Sequence, residues 1–194
     1  MIPFPNKKYS IIYADPPWSY NDKLHLQNEG AACHYRTMPI NELKNLPLKN
    51  ITDKDCILFI WVTMPQLSKV FEIIESWGFI FKTCAFCWIK QNPKALTIFK
   101  GLGRWVMGNA ELCLLATKGH PHRIVKNIHQ IVFAPRSYHS KKPDEVRNRI
   151  VQLMGDLPRI ELFAREKTPG WDSIGYDIDG LDINESIRKL NENP

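Results

Sequence analysis

With 194 residues, 44% of them hydrophobic, the chain suits one globular domain with a substantial core and excludes a second large one. A net charge of +6 favours a polyanionic partner. No window reaches the apolar length that spans a bilayer, and the first residues lack the apolar stretch of a signal peptide, so the expectation is a cytoplasmic protein without membrane association.

The pattern predicts a strand over residues 9–14, which ends in Asp15-Pro16-Pro17-Trp18. A polar loop of low periodicity, holding Gly30, follows over 19–36, and Pro39 opens a short helix over 39–45. Residues 56–62 are wholly apolar and of strand length, which suits a buried parallel strand. Leu67, Val70, Phe71, Ile74 and Trp77 recur at helical spacing, with Gly78 as the stop. Residues 79–90 read as a strand or a bent pair of strands, and a glycine-rich basic loop occupies 91–109. Strands are then expected over 111–117 and 130–133, a helix over 143–154 with Pro143 at its first position, and a strand over 159–163. Repeated exchange of strands and helices favours an α/β sheet with helices on both faces. The expected division is a domain over 1–179 and a polar tail over 180–194 with a short helix near 183–190.

Five cysteines, mostly inside apolar runs, fit reduced thiols. Cys84 and Cys87 have the spacing of half a zinc site, but no second pair matches them, and a structural site needs four ligands. No metal is expected.

The sharpest chemical feature is the turn after the first strand. Its two prolines carry no N–H and fix φ, so Asp15 is biased toward an extended conformation and nearby carbonyls are not consumed by a helix. A carboxylate and a carbonyl that accept the two hydrogens of an exocyclic amine would counter the delocalisation that makes adenine N6 a poor nucleophile. Trp18 on the same turn offers a ring to stack on a base. The same four letters also fit a plain turn in which Asp15 caps backbone and Trp18 belongs to the core.

Asp-Pro-Pro-Trp on a strand end resembles the signature of the MT-A70-like N6-adenine methyltransferases. Further segments match in order: His34-Tyr35-Arg36-Thr37-Met38, Leu58-Phe59-Ile60-Trp61-Val62-Thr63, Trp88-Ile89-Lys90, Ala110-Glu111-Leu112-Cys113-Leu114, His139-Ser140-Lys141-Lys142-Pro143-Asp144-Glu145 and Ile160-Glu161-Leu162-Phe163-Ala164-Arg165. The resemblance implies a doubly wound, Rossmann-like methyltransferase sheet with permuted motif order, the catalytic motif preceding the cofactor motif, and S-adenosylmethionine as cofactor. It implies that Asp15 is catalytic, that Pro16 and Pro17 shape the turn with the Pro16 carbonyl contributing, that Trp18 is the aromatic of the turn, and that Tyr35 lies on a closing loop. Asp15, Lys90, Glu161, Leu162, Phe163 and Arg165 fall at its cofactor positions. Residues 166–170 are shorter than the matching loop of the messenger-RNA enzymes, and Tyr176-Asp177 stands where they have an Asn-Gln pair, which leaves Asp177 as a further cofactor candidate.

Lys94, Lys100, Arg104, Arg136, Lys141 and Lys142 are candidates for phosphate contacts, and the alternative for each is a solvated surface charge. The reading is adenine-N6 methylation of DNA by a monomer or homodimer. RNA as substrate is one alternative, and a catalytically silent nucleic-acid-binding partner subunit is another.

Overall fold

A computed structural model describes residues 7–19, 37–101, 103, 105–137 and 141–192. Strands β1 (Tyr9–Ala14), β2 (Thr52–Val62), β3 (Ile80–Gln91), β4 (Ala110–Lys118), β5 (Ile131–Pro135), β6 (Arg159–Leu162) and β7 (Asp172–Ile174) form one sheet. Their order across it is β5-β3-β4-β2-β1-β6-β7. β1 pairs in parallel with both β2 and β6, β6 with β7, and β3 with β5, whereas β4 is antiparallel to β2 and β3. Residues 56–62 therefore have one parallel neighbour and one antiparallel neighbour.

Alternation along the strands builds two cores. Ile12 and Ala14 of β1, with Leu58, Ile60 and Val62 of β2, face α1 (Ile40–Lys44), α2 (Leu67–Ser76) and α5 (Ile183–Glu192). Ile11 and Tyr13, with Ile57, Phe59 and Trp61, face α3 (Asp144–Met154), whose Val146, Ile150 and Met154 recur at helical spacing. Helices thus cover both faces, as the alternation of elements predicts. The remaining helix, α4 (Tyr176–Asp179), is short and follows β7.

The stretch expected over 79–90 forms the single strand β3 (Ile80–Gln91), bent by two register shifts, between Phe81 and Thr83 and between Cys84 and Phe86. Pro143 is the residue before α3 rather than its first position. The tail helix α5 buries Ile183 and Ile187 in the first core, so its polarity is that of one face only. β7 escapes sequence reasoning, because three residues after a glycine turn carry too short a pattern. Among the described residues, no helix is long and apolar enough to cross a membrane.

Strand directions fix where chemistry can gather. β4 runs against the other six, so the carboxyl ends of β1, β2, β3 and β6 and the amino end of β4 share one edge. In doubly wound sheets, ligands bind at that edge.

Candidate active site

Asp15 leaves β1 beside the end of β6. Ala14 is in register with Leu162, and the Asp15 N–H donates to the Leu162 carbonyl at 3.4 Å. The proline turn is fixed by its own backbone: the Trp18 N–H donates to the Pro16 carbonyl at 2.9 Å, and the Met38 N–H to the Pro17 carbonyl at 2.8 Å. Each carbonyl keeps a second lone pair, so Pro16 retains acceptor capacity while already holding the turn. Trp18 corrects the stacking expectation. It is 4% exposed within the first core, and its indole N–H donates to the Trp61 carbonyl at 3.2 Å, so no ring face is presented to a base.

The Asp15 carboxylate ends a chain of alternating charges. Lys142 donates to Asp15 Oδ2 at 2.8 Å and reaches Glu111 Oε2 at 3.3 Å, and Lys90 donates to Glu111 Oε1 at 2.5 Å. Lys142 is 7% exposed, which corrects its assignment as a phosphate contact, since its ammonium is consumed by carboxylates inside the protein. Burial opposes its charge, but Asp15 and Glu111 outweigh burial and raise its pKa. Burial likewise works against Glu111, yet the Lys142 and Lys90 ammoniums hold its carboxyl below the ordinary value. Lys90, predicted beside the cofactor, is thereby linked to Asp15 through two intervening side chains.

A second buried pair braces β6. Arg147 forks onto Glu161 with two bonds of 2.7 Å, and its remaining amino group meets Asp144 at 2.5 Å. Burial would lower the Arg147 pKa, but Glu161 raises it, so the guanidinium stays charged. Glu161 therefore reaches the site edge already engaged. Beyond Leu162 the chain turns sharply: Phe163 has φ +62°, a left-handed conformation uncommon for a bulky residue. Gly175 lies so close to this turn that an added Cβ would meet the Ala164 oxygen at 2.4 Å and the Ala164 nitrogen at 2.7 Å. Arg165 follows the turn, half-buried, and Asp177 is exposed on α4.

The remaining basic candidates divide. Lys94 and Lys100 are exposed, and Arg136 lies over the Phe99 ring at 3.5 Å. Lys141 is paired with Glu166 at 2.7 Å and Asp144 at 3.1 Å, so acidic partners already use part of its charge. Tyr35, Arg104 and most of the predicted closing loop lie outside the described residues.

Sequence reasoning missed two site-edge residues, and each carried a signal. Glu111 opens an apolar strand, where an acidic side chain needs a partner. Arg147 falls on the buried stripe of α3, in step with Ile150 and Met154.

Residues 9–177 match the family model for MT-A70. The chain belongs to the MT-A70 family. It is 38% identical over 194 aligned residues to the Type II methyltransferase M.MunI of Mycoplasma sp, with 90% of this chain and 79% of that protein covered. It is 30% identical to the N(6)-adenosine-methyltransferase MT-A70-like protein of Arabidopsis thaliana, over 93% of this chain and 25% of that protein. It is 29% identical to the human N(6)-adenosine-methyltransferase catalytic subunit METTL3, over 91% of this chain and 29% of that protein. The chain is accordingly an N6-adenine methyltransferase with S-adenosylmethionine as methyl donor.

The residues at the edge fit that donor. The Phe163 turn, with Gly175 packed against it, brings backbone beside Asp15.

Proposed function

We propose that this MT-A70 chain methylates adenine N6 in DNA, with Asp15 as the group that holds the amine. The observation that carries this reading is the Lys142 bond to Asp15 at 2.8 Å, which fixes a carboxylate at the common edge of β1 and β6. Asp15 and the Pro16 carbonyl accept the two amine hydrogens, and the nitrogen lone pair is directed toward the methyl group. S-adenosylmethionine supplies that methyl group as an electrophile. Lys90 and Arg165 bind its methionine carboxylate and ribose hydroxyls, and Phe163 and Asp177 border it. Tyr35 belongs to the loop that closes over the site. The order of motifs is the permuted one, since Asp15 precedes the Glu161 to Arg165 segment in the chain.

DNA is favoured over RNA by the higher identity to a Type II methyltransferase, 38%, than to the N(6)-adenosine-methyltransferases, 30% and 29%. The chain covers 79% of that Type II methyltransferase and 25% and 29% of the two adenosine methyltransferases. In a duplex the amine lies within the base stack, so the base must leave it or the substrate must be single-stranded.

Labelled-methyl transfer to duplex DNA, single-stranded DNA and RNA of one sequence tests this reading, run with the parent and with Asp15→Asn. The expected result is transfer to DNA that Asp15→Asn abolishes while the protein stays folded, since Asn retains an acceptor oxygen for Lys142. Transfer confined to RNA overturns the substrate, and an active Asp15→Asn overturns the role.

A further inference from the structure

The segment between β3 and β4 carries a surface that the ion-paired site does not use. Trp105 is 97% exposed, and Val106 and Met107 beside it are also exposed. A large apolar cluster left in water marks an interaction site, and an indole without cover from the described residues is the strongest case of it.

This arm is built rather than trailing. At its base the Lys90 N–H donates to the Asn109 carbonyl at 2.9 Å, the Phe99 N–H to the Lys90 carbonyl at 2.8 Å, and the Asn92 N–H to the Thr97 carbonyl at 2.8 Å. Farther out the chain doubles back tightly. A Cβ at Gly101 would meet the Gly108 oxygen at 2.0 Å, and one at Gly103 would meet the Val106 oxygen at 2.1 Å. Glycine is required at both positions for the two limbs to approach, and residues 105–107 form the tip they carry.

The arm's position and charge define what it meets. It springs from the carboxyl end of β3, on the edge that holds Asp15, and its base is tied to that carboxylate through Lys90, Glu111 and Lys142. Lys94 and Lys100 are exposed along it. An apolar aromatic tip with ammonium groups behind it is complementary to nucleic acid: cations meet phosphates, and the ring enters the stack. A second copy of this +6 chain is the poorer fit, because it brings like charge against like.

We propose that Trp105 is the wedge that enters the base stack of a DNA duplex beside the target adenine, with Val106 and Met107 against the adjoining bases. It is a positioning residue. It fills the gap that the extruded base leaves, while Asp15 holds the amine outside the stack. The inference rests on the DNA reading above.

Methyl transfer by the parent, Trp105→Ala and Trp105→Phe is measured on three substrates: a duplex, its single target strand, and the duplex with an abasic site opposite the adenine. Trp105→Ala slows transfer to the intact duplex by about 5- to 150-fold, the range for loss of one base–aromatic stack. It leaves single-strand transfer at the parent rate and recovers on the abasic duplex, where no pair must be opened, and Trp105→Phe stands between. 2-Aminopurine at the target position brightens when the parent binds the duplex and stays dim with Trp105→Ala. An active parent whose Trp105→Ala variant matches it on the duplex overturns the wedge alone. So does an equal loss on duplex and single strand accompanied by conversion of a dimer to a monomer in sedimentation, which assigns the tip to a second copy. A parent that methylates RNA only overturns the DNA reading and the wedge with it.

Discussion

Lys142→Met is the most discriminating perturbation of the site. The ammonium is 7% exposed and holds Asp15 at 2.8 Å and Glu111 at 3.3 Å. Methionine approximates the length of the side chain but removes the charge, leaving two carboxylates at one sheet edge with Lys90 to compensate. Removing one partner of a buried ion pair costs about 3 to 5 kcal/mol. For a chain of this size each kcal/mol moves the thermal midpoint by about 2 to 4 °C, which gives a drop of roughly 6 to 20 °C. Its neighbour Lys141 bonds Glu166 and Asp144 from a more exposed position, where pairs contribute about 0 to 1 kcal/mol, so Lys141→Met lowers the midpoint by at most about 4 °C. Calorimetry at neutral pH on both variants separates the two environments. Adding Asp15→Asn to Lys142→Met removes one of the stranded carboxylates and restores part of the lowered midpoint, because neighbouring changes are not additive. Equal shifts in the two lysine variants, or a double variant less stable than Lys142→Met, would refute the buried charge chain.

Trp18→Ala lowers stability by about 3 to 5 kcal/mol, since it empties a core site, and denaturant unfolding checks it. The pH dependence follows from Glu111, whose pKa is lower folded than its ordinary 4.5: its contribution is full above that value and is lost as pH falls through the folded one. Glu161, raised by burial, acts in the opposite sense, so the measurement to make is the difference in midpoint between the parent and Glu111→Gln, which shrinks on acidification below about 4.5. S-adenosylmethionine at a hundredfold excess over its dissociation constant stabilises the fold by about 2.7 kcal/mol, and Arg165→Ala and Lys90→Ala reduce the midpoint shift at fixed ligand concentration. Lys94→Ala and Lys100→Ala each flatten the slope of log affinity against log salt by about 0.7 to 0.9 in DNA titrations, as expected when one phosphate is no longer neutralised by the protein.

Periodicity locates the elements that have one clear face. α2 and α3 bury helically spaced residues, whereas β1, buried on both faces, reads as a short apolar run. What it cannot give is strand direction: Leu58 to Val62 are apolar whether the neighbour runs parallel, as β1 does, or antiparallel, as β4 does. The charged site is legible at Asp15, where proline chemistry marks the turn, and illegible at Lys142. A lysine among Ser140, Lys141 and Pro143 reads as surface, and only the fold reveals that the chain returns it to Asp15 across a long sequence separation. Trp18 shows the converse, an aromatic whose place on a functional turn suggests a binding face when its role is to anchor the turn to Trp61.

The end of β6 shows how a glycine motif can be absent from the sequence while a sharp turn and a close backbone approach are both present. Glycines after such a strand serve a sharp turn and a close approach of backbone. Here the left-handed turn is made by Phe163 at φ +62°, a conformation that costs a bulky residue about 1 to 3 kcal/mol. The close approach is supplied from the neighbouring strand end, where Gly175 stands against Ala164. The two jobs have been divided between separate segments, joined by the Ala164 N–H bond to the Ile174 carbonyl at 3.0 Å. A search for closely spaced glycines therefore finds nothing after Phe163, although the backbone there adopts the form those glycines exist to permit. The division has a consequence for substitution: Gly175→Ala, which drives a methyl group into Ala164, damages the Phe163 turn as surely as any change within it.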